Sequence, residues 1–146
     1  MDTTNFDQIF DFVFGFAEHY LENRAGLHPF GAWLFEDLSV DGILVELGAE
    51  DDPQDKISEL HDKLREQVSY GDILATGICY DVKLSKPVEI EMKMAVGIEI
   101  EAPGGISSSI LVPYRYGLFN KLIFGKSIAQ QTEPVVFRST SQAQGK

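Results

Sequence analysis

The sequence predicts an α+β fold, with a mostly antiparallel sheet of five to six strands and two helices in a two-layer sandwich, in the order α-β-β-α-β-β-β. Two long segments space their apolar residues as helices do, and several shorter segments alternate apolar with other residues. The turns between successive strands are short, which favours antiparallel pairing. With 146 residues, we expect one domain over residues 1–138 and a mobile tail at 139–146.

The first predicted element is a helix over Asn5–Asn23. Its apolar stripe comprises Phe6, Ile9, Phe10, Val13, Phe16, Ala17, Tyr20 and Leu21. Four phenylalanines at alternate positions within 10–16 also resemble a strand, but residues 17–23 do not continue a strand and favour the helix. Phe12 and Phe14 lie about 200° apart on a helical wheel. Because one sheet surface does not cover both rings, they predict a homodimer through this helix. The alternative is that Val135, Val136 and Phe137 cover the outer side of the helix within one chain.

A hairpin and a second helix follow. The hairpin is predicted from an extended segment at Phe30–Phe35, a turn at Asp41-Gly42 and a strand at Ile43–Leu47. Asp52 is a suitable N-cap for a helix over Pro53–Ser69, since proline suits the first helical position. The buried stripe of this helix is expected to comprise Ile57, Leu60, Leu64 and Val68.

Three strands and a weaker fourth complete the predicted sheet. The segments Ile73–Leu84, Ile90–Glu101 and Ser107–Tyr114 alternate as strands do, and Lys121–Ile128 does so less clearly. In the second of these the apolar residues point one way and the charged residues the other, so one face of the sheet is expected to meet water. Both helices are then expected on the opposite face. Pro113 indicates an edge or a strand end.

The negative charge of the chain is concentrated in its first half. Residues 1–66 contain 16 acidic and 4 basic residues, residues 67–146 contain 7 acidic and 8 basic ones, and the net charge is −11. This charge argues against nucleic acid and membranes as partners. It suits a basic partner protein, as in an antitoxin-like inhibitor, with Glu50, Asp51 and Asp55 as docking residues.

Residues with chemistry of their own are sparse. The histidines, His19, His28 and His61, lack the spacing of helical metal ligands, so we expect no metal and no cofactor. Cys79 is expected to be an inert buried thiol. With one cysteine and no signal-peptide pattern at the N-terminus, we expect a cytoplasmic protein. Without an assembled catalytic set, an enzyme is the less favoured interpretation.

One group of residues could hold a small anion. Asp81 and Arg115 each occupy a strand position where an apolar residue is expected, and they could pair if their strands are neighbours. A purely structural ion pair is the alternative interpretation. The predicted ligand-binding set comprises Arg115, Tyr114, Asp81 and His28.

Three short motifs resemble a group of uncharacterised bacterial small α+β proteins. They are Pro29-Phe30-Gly31-Ala32, Tyr80-Asp81-Val82 and Pro113-Tyr114-Arg115. The similarity extends over residues 27–137 and departs at Phe124–Ile128, where the group more often has an acidic residue and proline. It implies the fold and a bacterial, cytosolic origin, and no reaction. The order of elements is also similar to that of the profilin-like and roadblock folds, which host many functions.

The sequence therefore leaves three functions open. The leading hypothesis is a binding or interaction module without catalytic activity. The alternatives are a small-ligand sensor or enzyme with a pocket between sheet and helices, and a structural dimer subunit. A pocket of a few hundred Å³ with convergent polar groups favours a ligand, whereas a flat acidic surface favours a protein partner.

Overall fold

A computed structural model describes residues 4–23, 26–45, 47–86 and 92–137. Over these residues the chain forms two α-helices and one seven-stranded sheet, which confirms the predicted class and order of elements. In place of the single weak strand predicted at Lys121–Ile128, the structure has two short strands, at Leu122–Phe124 and Ile128–Gln131. The elements are α1 (Thr4–Glu22), β1 (Phe30–Phe35), β2 (Val40–Leu44), α2 (Pro53–Ser69), β3 (Ile73–Lys83), β4 (Met94–Ala102), β5 (Ile106–Tyr116), β6 (Leu122–Phe124) and β7 (Ile128–Gln131).

The strands are antiparallel and lie in the order β2-β1-β3-β4-β5-β6, with β7 also pairing with β5. Hairpins join β1 to β2 and β4 to β5, and α2 carries the chain from β2 back to β3, which lies on the other side of β1. This order places β2 at one edge of the sheet and β6 at the opposite edge.

The two helices pack against opposite faces of the sheet. Neighbouring residues of a strand point to opposite faces, and in β1 Leu34 packs with α1 whereas Trp33 packs with Leu64 of α2. In β3, Cys79 and Ile78 divide in the same way. The structure differs here from the expected two-layer sandwich with both helices on one face. The reason is that β1 and β3 are apolar on both sides, so each face requires a cover.

The helix α1 buries a central stripe and has aromatic rings on both flanks. The buried stripe comprises Ile9, Val13, Ala17 and Leu21. On one flank Phe14 contacts Phe124 of β6, with ring centroids 5.0 Å apart. On the other flank Phe16 packs against Phe12 and Phe30, with centroids 5.4 and 5.6 Å apart. Phe12 and Phe14 are therefore both half-buried within the chain, because different strands cover the two flanks.

The β1–β2 hairpin turns earlier than predicted. The side chain of Asp37 accepts hydrogen bonds from the backbone N–H and the hydroxyl of Ser39, which fixes the turn at residues 36–39. The prediction of a turn at Asp41-Gly42 is wrong, because these residues lie inside β2. The strand β2 also ends at Leu44, earlier than the strand predicted at Ile43–Leu47.

The face of β4 that was expected to meet water is largely covered. Glu101 is 4% exposed and Glu99 is half-buried, so the expectation of a wet face is wrong at these positions. On the opposite face Val96 and Ile98 are buried, as the alternation predicts. The predicted start of this strand, Ile90-Glu91, lies outside the described residues.

Pro113 lies inside β5 rather than at an edge. On one side Pro113 is opposite Ala95 of β4. On the other side of β5, residues 108–111 pair with β7 and residues 114–116 pair with β6, and Pro113 lies between these two segments. The missing N–H of proline is tolerated because it lies where the partner strand changes.

Residues 135–137 dock on the α2 side of the sheet. Val136 is buried in the cluster that contains Trp33. The carboxylate of Glu101 accepts hydrogen bonds from the backbone N–H groups of Val135, Val136 and Phe137 at 2.8–3.0 Å. The mobile tail predicted at 139–146 lies outside the described residues.

Candidate functional site

The edge of the sheet at β2 borders an aromatic pocket. The pocket has a volume of about 360 Å³ and lies between α1 and the β1–β2 hairpin. Its lining among the described residues comprises Phe12, Phe16, Tyr20, Phe30, Gly31, Val40, Asp41, Gly42, Ile43 and Leu44. Phe16 and Leu44 are 43% and 46% exposed, so the mouth of the pocket presents apolar surface to solvent.

Two features of the sequence build this pocket. Phe12, Phe16 and Tyr20 follow one another at four-residue spacing, which places three rings in a row along one flank of α1. The strands β1 and β2 also approach closely. A Cβ on Gly42 would lie only 2.8 Å from the carbonyl oxygen of Gly31. A larger residue at position 42 would push β2 away from β1, so glycine at this position keeps the two strands close.

The strand β2 is paired along one side only. Among the described residues β1 is its only partner, so alternate backbone N–H and C=O groups of β2 point away from the sheet. The N–H of Gly42 donates to the side chain of Asp41 at 2.8 Å. This local hydrogen bond protects the edge, and an incoming strand can replace it.

The interior of the pocket is apolar. Of the described lining residues, Tyr20 and Asp41 are the two whose side chains carry polar atoms. A small-molecule site generally needs several polar groups that converge on the ligand and orient it. The pocket therefore suits an apolar side chain better than a polar metabolite.

The region around the pocket is acidic. Residues 26–55, which include the hairpin and the start of α2, contain eight acidic residues and neither Lys nor Arg. Glu36, Asp37 and Asp41 are exposed on the hairpin itself. Asp51 is paired with Lys56 at 4.0 Å, and the remaining carboxylates attract cations and raise their local concentration. The pocket thus combines an apolar interior with an acidic rim.

The four predicted ligand-binding residues do not form one site. The hydroxyl of Tyr114 donates to the carboxylate of Asp81 at 2.9 Å. Arg115 points to the opposite face of β5 from Tyr114, and β4 separates β3 from β5, so the predicted pairing of Asp81 with Arg115 does not form. His28 lies near the β2 edge, where its Nδ1 accepts the N–H of Leu47 at 3.1 Å.

The Asp81–Tyr114 pair is a structural hydrogen bond on the α1 face. Partial burial raises the pKa of Asp81, although the hydrogen bond from Tyr114 acts in the opposite direction. Burial also raises the pKa of Tyr114, and the neighbouring carboxylate adds to the effect. Because the residue Asp81 remains exposed overall, water screens its charge and the change in its pKa has a small energetic effect.

The predicted partner-binding residues occupy separate places. Glu50, Asp51 and Asp55 are exposed around the start of α2 and belong to the acidic stretch that includes the hairpin. Phe12 lines the aromatic pocket, whereas Phe14 packs against β6 on the other flank of α1. The two phenylalanines therefore do not share one surface.

Sequence reasoning missed a polar cluster beneath α2. The Nε2 atom of His61 lies 2.9 Å from one carboxylate oxygen of Glu99, and the hydroxyl of Tyr80 donates to the other at 2.6 Å. Burial disfavours the charged form of Glu99, but the hydrogen bonds from His61 and Tyr80 outweigh it and lower its pKa. Burial, reinforced by the bond to Glu99, raises the pKa of Tyr80. The cluster ties α2 to the sheet and does not border the aromatic pocket.

Other candidate sites are weaker. An open groove of about 850 Å³ lies beside the β4–β5 turn and is lined mainly by polar residues such as Gln130 and Thr132. Cys79 is buried, and burial raises the pKa of its thiol. Within the described ranges, no three His, Cys, Asp or Glu side chains gather where they could hold a metal ion. Neither helix in the described part of the chain is long and apolar enough to cross a membrane.

No protein-family model, curated protein or solved structure matches this chain. Its function is therefore inferred from the pocket, the strand edge and the charge around them.

Proposed function

We propose that this protein is a binding module that takes an extended, basic segment of a partner protein along the outer edge of β2. The observation that carries the proposal is the aromatic pocket of about 360 Å³ that opens beside this edge. In the complex, the partner segment adds a strand to the sheet and places one apolar side chain in the pocket.

Strand addition uses groups that β2 already presents. An extended segment gains main-chain hydrogen bonds from the sheet edge, and pockets for alternate side chains supply its specificity. The aromatic pocket supplies one such site, since its lining includes Phe16 and Leu44, which are both partly exposed. A buried aromatic or aliphatic anchor in such a pocket provides much of the binding energy of an interface.

The charge of the region selects a basic segment. Residues 26–55 carry eight acidic side chains and neither Lys nor Arg, so a cationic partner is steered to this edge and an anionic one is repelled. Asp41 also provides a specific exchange. A Lys or Arg of the partner pairs with the Asp41 carboxylate, and the Gly42 N–H that Asp41 now holds becomes available to a carbonyl of the incoming strand.

A small-ligand sensor or an enzyme is a poorer fit to the same pocket. Of the described lining residues, two have polar side chains, Tyr20 and Asp41, whereas orienting a metabolite requires more polar groups that converge on it. The polar cluster of His61, Tyr80 and Glu99 lies under α2 and does not extend this set.

A random peptide library displayed on phage tests the proposal with no partner chosen in advance. Selection on the immobilised protein is expected to enrich peptides with Lys or Arg beside a large apolar residue. Phe16→Ser removes one wall of the pocket and is expected to weaken the selected peptides about tenfold or more, equivalent to about 1.4 kcal/mol. The matched control is Tyr70→Ser, because Tyr70 is also exposed, at 71%, and lies at the end of α2 away from the pocket.

The charge requirement is tested separately. Glu36→Gln combined with Asp41→Asn is expected to slow association and to reduce its dependence on salt, since exposed charges act mainly on the on-rate. Glu66→Gln combined with Glu133→Gln removes the same charge elsewhere and is expected to change association less. No enrichment of basic peptides, or enriched peptides whose binding survives Phe16→Ser, contradicts the proposal.

The acidic start of α2 provides a second comparison. Replacing Glu50, Asp51 and Asp55 by Ser is expected to lower the on-rate for the selected peptides through the overall field, with little effect on the off-rate. Stopped-flow measurements at several salt concentrations check this. Binding that is indifferent to salt would show that the acidity serves solubility rather than steering.

A further inference from the structure

The opposite edge of the sheet carries an apolar projection. Between β5 and β6 a single 3-10 turn presents Leu118 and Phe119, two residues that are 86% and 99% exposed. We propose that this turn is the segment that enters the aromatic pocket of a second copy of the chain. This inference rests on the pocket and the charge of the proposed function, and it identifies the basic partner as another molecule of the same protein, which offers a folded turn in place of an extended segment.

The projecting turn is held in a costly backbone conformation. Phe119 and Asn120 both have φ near 60°, a region that is uncommon for residues other than glycine and particularly so for a bulky aromatic one. Such a conformation persists only where the surrounding structure determines it, and it commonly marks a functional position.

Backbone hydrogen bonds fix the turn at its base. The N–H of Gly117 donates to the carbonyl of Lys121 at 2.7 Å, and the N–H of Asn120 donates to the carbonyl of Gly117 at 3.1 Å. A Cβ on Gly117 would lie 2.6 Å from the end of the Ile123 side chain, so a larger residue there would require that side chain to move. The turn therefore presents the Phe119 ring to solvent with little freedom to withdraw it.

The charges of the two edges are complementary. Residues 102–132, which form β5, the turn, β6 and β7, include three basic residues and no acidic ones. Residues 26–55, at the β2 edge, include eight acidic residues and neither Lys nor Arg. Because β2 and β6 are at opposite ends of the strand order, the sheet is acidic at one edge and basic at the other.

The shapes of the two edges are complementary as well. The acidic edge has a pocket walled by aromatic rings, and the basic edge has an exposed aromatic ring on a fixed turn. A ring that fills an aromatic pocket gains apolar burial and ring-to-ring contacts. The two surfaces differ from each other, so the contact is head-to-tail and repeats into a ring or an open chain of copies rather than closing as a symmetric dimer.

Sedimentation velocity over a wide range of concentrations tests the inference. The wild-type protein is expected to associate as its concentration rises and to dissociate as salt is added. Phe119→Asn removes the ring while keeping a residue that tolerates positive φ, and it is expected to give a folded monomer. At the pocket, Phe16→Ser is expected to give a folded monomer as well. Leu44→Arg, which retains the Phe16 ring, is expected to give the same result. Tyr70→Ser is expected to leave association unchanged.

Mixing the two kinds of variant gives the decisive result. The Phe119→Asn protein retains its pocket and the Leu44→Arg protein retains its turn, so an equal mixture is expected to form a species of about twice the 16.3 kDa chain mass and nothing larger. A wild-type protein that stays monomeric, or a mixture that stays monomeric, overturns the inference. If library peptides still bind at Phe16 in that event, the proposed function stands and the second copy is not the partner. If the mixture assembles but the library yields no basic peptides, the pocket recognises the folded turn and the proposal of an extended segment fails.

Discussion

The face of the sheet under α1 is covered mainly by apolar side chains, whereas the face under α2 is closed partly by carboxylates. Under α1, the stripe that includes Val13 meets Val96 and Ile98 of β4, all fully buried. Under α2, positions of β4 that also point inward hold Glu99 and Glu101. One sheet therefore has two covers that differ in chemistry.

The difference follows from how far each helix extends over the sheet. α1 packs across β1, β3 and β4, while α2 packs on β1 and β3. Beyond α2 the inward positions of β4 are reached by side chains from the helix and by the backbone of residues 135–137. A buried carboxylate is tolerated when hydrogen bonds satisfy it, and here Glu99 has two side-chain partners and Glu101 has three backbone ones.

The largest expected effect compares the apolar centres of the two faces. Ile98→Ala is expected to lower the free energy of unfolding by about 3–5 kcal/mol and Leu64→Ala by about 2–4 kcal/mol. Both side chains are fully buried, but Ile98 lies in the larger cluster, where neighbours have less room to collapse into the cavity. Chemical denaturation checks the order. A larger loss for Leu64→Ala would show that α2, and not α1, covers the main core.

The next effect concerns the carboxylate that holds the C-terminal segment. Glu101→Ala leaves the N–H groups of residues 135–137 without their acceptor and is expected to lower stability by about 2–3 kcal/mol. Hydrogen exchange is expected to show those amides losing protection while α1 keeps its own. Glu101→Gln retains one acceptor and is expected to have a smaller effect. Glu133→Ala, at an exposed acid of the same segment, serves as the control. Unchanged protection in Glu101→Ala would mean that burial of Val136 alone holds the segment.

Local signals explain what the sequence predicted well. The start of α2 at Pro53 follows from a capping side chain and a proline next to each other, and in the structure Asp52 caps the helix by accepting the N–H of Gln54 at 3.0 Å. The acidity of residues 26–55 was equally visible. These features depend on neighbours in sequence, where composition and spacing carry the information.

Contacts between distant residues explain what could not be predicted. The pocket depends on the approach of Gly42 to Gly31, and the burial of Glu101 depends on residues 135–137 folding back onto β4. The alternation in β4 correctly separates two sets of residues, but it cannot show that both faces are covered. The pairing of Asp81 with Arg115 failed because Arg115 points to the opposite face of β5, and it is Tyr114 that reaches Asp81 across β4.

The Glu99 cluster is expected to make stability depend on pH. The pKa of Glu99 is lowered in the folded protein, so its ionised form stabilises the fold. This contribution is fully present above the unfolded pKa of about 4.3 and is lost as the pH falls through the lower folded value. Glu99→Gln is therefore expected to reduce stability near neutral pH by about 1 kcal/mol, and the difference from wild type is expected to shrink in acid. A difference that does not vary with pH would show that the hydrogen bonds, rather than the charge, stabilise this face.

The smallest expected effect has the opposite sign and comes from the α1 face. Burial raises the pKa of Asp81 in the folded protein, so ionisation of this group opposes folding. The unfavourable contribution is absent below the unfolded pKa of about 3.9 and develops as the pH rises through the folded value. Asp81→Asn keeps an oxygen that accepts the Tyr114 hydroxyl and removes the charge.

The Asp81→Asn variant is therefore expected to be more stable than wild type near neutral pH, by less than about 1 kcal/mol because solvent screens this exposed residue. The gain is expected to vanish in acid, and Tyr114→Phe, which removes the donor instead, is expected to give no such gain. Thermal unfolding at several pH values checks all three proteins. A loss of stability in Asp81→Asn at neutral pH would mean that the charged hydrogen bond to Tyr114 outweighs burial, and the carboxylates of the two faces would then act alike.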